Sequence, residues 1–100
     1  MAVVAVSVAP LGVGTSVSKY VATAEKVLAS NPQIKHQIGP MFTTLEGDLD
    51  EIMAVIKQMQ EAVFDAGAQR VNTTIKIDDR RDKQLTMEGK LKSLEEKMKE

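Results

Sequence analysis

The chain has 100 residues, 43% of them hydrophobic and 27% charged, with a formal net charge of −1. This is the composition of one ordinary globular domain covering residues 1–100, and no basic stripe or aromatic platform marks it for nucleic acid. With no cysteine and a single histidine, His36, it holds neither a disulfide framework nor a metal-ligand cluster, so no metal or cofactor is expected.

Residues 2–9 are Val-rich and end at Pro10, which reads as a central strand. The apolar start lacks a basic flank and is far too short to cross a bilayer, so a cytoplasmic, membrane-free protein is expected. After the Gly12-Val13-Gly14-Thr15 loop, Ser16 is a candidate N-cap. Val17, Tyr20, Val21, Ala24, Val27 and Leu28 then mark an amphipathic helix over 17–29. Ser30-Asn31-Pro32 stops it. Residues 34–38 and 41–46 read as a hairpin around Gly39-Pro40. Asp48 with Glu51 forms a capping box opening a second helix, which runs to about Ala66 and ends at Gly67. Residues 70–77 alternate as a half-buried strand, 78–83 form a charged loop, and Thr86 caps a last helix over 86–99. Its apolar stripe is narrow: Met87, Leu91, Leu94 and Met98.

The order β-α-β-β-α-β plus one helix predicts an α+β, ferredoxin-like domain with a four-stranded antiparallel sheet. Two helices cover one face, and the other is left bare. The extra C-terminal helix either packs loosely or docks on another subunit. With Val4, Val6, Val8, Thr73, Ile75 and Ile77 facing the helices, the bare face carries Val3, Ala5, Ser7, Lys35, Gln37, Phe42, Thr44, Glu46, Asn72, Thr74 and Lys76. A register slip of one residue would exchange Thr43 for Thr44. The blend of small apolar and hydrogen-bonding groups suits either a ligand pocket at a subunit interface or a polar interface alone. A domain this small gains by burying a face against a second copy.

Gly12-Val13-Gly14-Thr15-Ser16 is neither a dinucleotide fingerprint nor a P-loop, because the third glycine and the Lys-Ser/Thr pair are missing. Glu46 is an acid on the open face in need of a partner: Lys76, or a ligand's amine. The mixed charges from Lys76 to Lys83 suggest a contact between subunits, the alternatives being a solvated ion-pair cluster or an Arg pair gripping a phosphate. No nucleophile accompanies these groups, so no catalytic residues and no enzyme are expected.

Three stretches carry a resemblance: Val6-Ser7-Val8-Ala9-Pro10, Pro40-Met41-Phe42-Thr43-Thr44-Leu45-Glu46-Gly47-Asp48-Leu49-Asp50, and Thr73-Thr74-Ile75-Lys76-Ile77-Asp78-Asp79-Arg80-Arg81-Asp82-Lys83. Together they resemble the small thiamine-binding proteins with a ferredoxin-like fold. The resemblance implies a homotetramer of sheet-paired dimers that binds thiamine or its hydroxymethylpyrimidine moiety near subunit interfaces, with no enzymatic reaction. It carries over Thr43 and Glu46 as ligand-binding residues. Ser7, Thr44, Thr74 and Lys76 come from the face argument, and Phe42 either stacks on a pyrimidine or fills the pocket. The alternative is a structural or regulatory homo-oligomer with no thiamine-type ligand.

Overall fold

A computed structural model describes all of residues 1–100. Its elements are β1 (Ala2–Pro10), α1 (Ser18–Ala29), β2 (Lys35–Ile38), β3 (Thr43–Gly47), α2 (Leu49–Asp65), β4 (Val71–Asp79) and α3 (Met87–Met98). The strands form one antiparallel sheet in the order β2-β3-β1-β4, the βαββαβ arrangement expected from the element order. The Val-rich β1 sits in the middle. It pairs with β4 along its full length, from Ala2↔Asp79 to Pro10↔Val71, but with β3 only as far as Val6↔Thr43. The last four residues of β1 therefore have no strand beside them on the β3 side.

Register assigns the faces. Val4 stands between Leu45 and Ile77, and Val6 between Thr43 and Ile75, so these residues share the helix-covered side. Val4, Val6, Leu45, Leu28, Ile52, Val55 and Val63 form the core and are almost wholly shielded from solvent. Each such side chain contributes about 1.5–3 kcal/mol by leaving water. The opposite parity puts Val3, Ala5, Ser7, Thr44, Glu46, Thr74 and Lys76 on the open face, as the alternation predicts.

Local chemistry explains most element ends. The Asp48 carboxylate accepts from Glu51 N–H at 3.1 Å and opens α2, and Thr86 accepts from Gly89 N–H at 2.9 Å and opens α3. Gly67, at φ +116°, takes the turn after α2 that a side chain would resist. Three boundaries differ from expectation. Ser16 does not cap α1: the N-cap is Val17, with no side-chain bond, because the serine lies one residue too early to reach the first free amides. The hairpin turn takes Gly39 to Phe42, closed by Gly39 N–H donating to Phe42 C=O at 3.0 Å, so β3 starts at Thr43 rather than Met41. Asp78 and Asp79, read as loop, extend β4 because Val3 and Ala2 pair with them.

The second sheet face is not bare. The start of α3 folds back over it, where Leu85 and Met87 cluster with Val3. No helix is long and apolar enough to cross a membrane.

Candidate functional site

The open face carries its polar groups in rows across the sheet. Lys35, Glu46, Val3 and Asp78 form one row; Gln37, Thr44, Ala5 and Lys76 form the next; Ser7 and Thr74 pair in the one after. Phe42 stands one residue ahead of the β3 ladder and is 38% exposed, enough for its ring to meet a ligand.

Glu46 finds a partner that sequence reasoning did not foresee. Its Oε1 accepts from Met87 N–H at 2.7 Å, and the residue is buried. A carboxylate placed against the free amides at a helix start is favoured by both hydrogen bond and dipole. Lys76 lies one row and two strands away and forms no ion pair with it. Glu46 thus fastens α3 to the sheet. Two surface ion pairs assist, Lys35–Glu88 at 2.7 Å and Lys90–Asp78. The Glu88 bond raises the Lys35 pKa, and Lys35 in turn holds the Glu88 carboxyl below its usual range.

Between α3 and the sheet runs a cleft of about 340 Å³, lined by Val3, Gln37, Phe42, Thr44, Met87 and Leu91, with Lys90 at its side. It joins an aromatic ring, a hydroxyl and a carboxamide to an apolar floor, the mixture that holds a small heterocycle. Of the seven residues singled out from the sequence, Phe42 and Thr44 line this cleft. Ser7, Thr74 and Lys76 share its face but lie outside it, and Glu46 lies under the start of α3.

Thr43 is on the other side. It faces α1, is 3% exposed, and its hydroxyl donates to Glu25 Oε1 at 2.6 Å. Beside it, where β1 runs past the end of β3, lies a second cavity of about 220 Å³. It is lined mainly by apolar side chains together with Ser7, Thr43 and Glu25. Phe42 and Gly39 border both spaces.

Glu25 escaped the sequence reading, although a signal was present. It sits four residues after Val21 and three before Leu28, an acid at the edge of the apolar stripe of α1. The contributions of Met87, Lys90 and Leu91 could not be read, because nothing in a narrow helical stripe says what it covers.

The charged run 78–83 is partly satisfied within the chain. Arg80 holds Asp82 through two bonds of 2.5 and 2.7 Å, which raises the arginine's pKa and lowers that of the aspartate, and Arg81 reaches Asp79 at 3.2 Å. His36 is exposed on the edge strand β2, and no group of three or more acidic, histidine or cysteine side chains could hold a metal ion.

Fold and cleft together define a small ferredoxin-like domain with a ligand-sized space on its open sheet face. The chain belongs to the family described as thiamine-binding protein, whose profile matches residues 4–95. It is 46% identical over 98 residues to the UPF0045 protein YqgV of Bacillus subtilis, covering 94% of each chain. The solved structure of MJ1052 from Methanocaldococcus jannaschii superposes with a TM-score of 0.87 at 44% identity, over 95% of this chain and 96% of that one. The Thermotoga maritima protein TM0486, described as a candidate for thiamine biosynthesis or salvage, superposes with a TM-score of 0.78 at 25% identity, over 93% and 97% of the two chains.

Proposed function

We propose that this protein binds thiamine or its hydroxymethylpyrimidine moiety as a homo-oligomer, a tetramer by family resemblance, in the cytoplasm and without catalysing a reaction. The observation that carries this reading is the cleft between the open sheet face and α3, in a chain of the thiamine-binding family. Phe42 offers a ring face for a pyrimidine, and Thr44 and Gln37 offer a hydroxyl and an amide for its nitrogens. Glu46 supports the site by holding α3 in place through its Oε1 bond to the Met87 amide. Thr43, turned toward α1, has no part in this cleft. Ser7, Thr74 and Lys76 lie on the same open face, the surface a second copy would meet.

Isothermal titration calorimetry with thiamine and with hydroxymethylpyrimidine tests the reading. Binding to the natural chain is expected, with Phe42→Ala and Thr44→Val each weakening it at least tenfold. Absence of heat at millimolar ligand would overturn it. So would a Thr44→Val variant that loses its oligomeric state but keeps full affinity, which is the outcome of a purely structural polar face.

A further inference from the structure

The helix α3 is attached to the rest of the chain over a short length only. Within residues 80–100 the buried side chains are Leu85 and Met87, and everything from Glu88 onward is exposed. Its fastenings are gathered around the first turn. Met87 N–H donates to Glu46 Oε1 at 2.7 Å, and Leu85 and Met87 close over Val3. Lys35–Glu88 and Lys90–Asp78 pair on the β2 and β4 sides. Those two ion pairs are solvent-exposed and add little. The Glu46 bond is different in kind, since it is buried and charge-assisted. One carboxylate and one small apolar cluster therefore carry most of the attachment.

The tether and the core both leave the helix free to move. No backbone hydrogen bond runs from residues 80–86 to the βαββαβ body. The side-chain bonds of this segment are local: Arg80 holds Asp82, Arg81 reaches Asp79, and Thr86 caps α3 itself. The main core contains no residue of α3 or of its tether, so parting α3 from the sheet leaves that core whole. An element held this way opens at a lower free energy than the fold as a whole. The open-face cleft takes Val3, Gln37 and Thr44 from the sheet and Met87 and Leu91 from α3, so lifting the helix removes one of its walls.

We propose that α3 is a hinged strap, latched by Glu46 and pivoting on residues 80–86, whose lifting lets ligands into the open-face cleft while the body stays folded. The gating role rests on the reading of that cleft as the ligand site; the movement itself does not.

The chain has no cysteine, so one introduced thiol reads the movement without any ligand. Val3→Cys places it beneath Leu85 and Met87, and Val4→Cys places it one residue along the same strand, in the core on the other face. Each variant is labelled with Ellman's reagent at rising urea below the unfolding transition. The Val3→Cys thiol is expected to react at least tenfold faster than that of Val4→Cys. Its rate should be nearly flat in urea, because lifting a strap exposes little surface, whereas the Val4→Cys rate should climb with the slope of global unfolding. Adding Glu46→Ala to Val3→Cys should speed labelling about tenfold, the effect of losing one buried bond. Labelling of Val3→Cys that climbs as steeply as that of Val4→Cys would overturn the strap, because α3 would then leave only with the whole fold. A rate indifferent to Glu46→Ala, or one equal to that of free cysteine, would overturn the latch. Should either variant fail to fold, hydrogen exchange on the natural chain decides. The Met87 amide should exchange through a urea-independent opening well before that of Val55 in α2, and matching protection and urea dependence would overturn the proposal. Gated labelling without thiamine binding removes the ligand and keeps the strap, and labelling that needs global unfolding removes the strap whatever thiamine does.

Discussion

Glu46 and Thr43 show how a single position is decided by the groups that happen to reach it. Both are buried and both stand on β3, but an odd separation of three residues sends them to opposite faces. Thr43 meets α1, and Glu46 meets the first amide of α3. Replacing Glu46 by alanine leaves Met87 N–H without its acceptor, an unmade buried bond worth about 1–3 kcal/mol. We expect Glu46→Ala to lower unfolding stability by that amount in urea. Glu46→Gln should lose less, since its amide oxygen still accepts; equal losses would show that the charge, not the bond, holds α3. The sequence left the facing of Thr44 open to a slip of one residue, and the pairing of Ala5 with both Thr44 and Lys76 decides it. The partner of Glu46 was not legible, since a bond spanning 41 residues leaves no local trace.

At the scale of elements, α3 is the exception in an otherwise predictable set. Its first turn is fixed by Glu46, by the Val3–Leu85–Met87 cluster and by ion pairs to β2 and β4. Beyond Lys90 every residue of the helix is exposed. Amides of residues 92–98 should therefore exchange with deuterium well before those of α2, whose inner face is buried in the core. The Lys35–Glu88 pair adds a pH signature. Lys35 depresses the Glu88 pKa, so the folded state binds that proton less readily than the unfolded chain. The pair's support is complete above the ordinary glutamate value of about 4.3 and disappears as pH falls through the lower folded value. An NMR titration should find Glu88 below the usual carboxylate range, and Lys35→Met should return it there. The effect on global stability is expected to be small, because both side chains are solvent-exposed.

The whole molecule is extended for its length. Its radius of gyration is 14.9 Å and its long axis 47 Å, against roughly 13 Å expected for a compact domain of this size. Leu91, Leu94 and Met98 on α3 are 53%, 57% and 75% exposed, an unsatisfied stripe that a second copy would cover. Sedimentation should find a species heavier than the monomer. The pair Leu91→Glu and Leu94→Glu should shift it toward monomer while leaving the melting of the βαββαβ body nearly unchanged. A natural chain that sediments as a monomer would remove the subunit-interface part of the proposed function.

By itself the sequence determined the fold class, the element order and the alternation of side chains along each strand. Those follow from periodicity and turn chemistry, which are local: Val4, Val6 and Val8 alternate with Val3, Ala5 and Ser7 wherever the strand is placed. It also carried the family, through stretches whose residues can be compared directly. Only the tertiary structure decided which polar groups meet. The return of α3 over the sheet, the capture of Met87 by Glu46 and the bond from Thr43 to Glu25 all depend on packing between distant segments. The bare face of the predicted sheet became, for that reason, a half-covered cleft, and an unremarked acid on α1 became part of the wall of a second cavity.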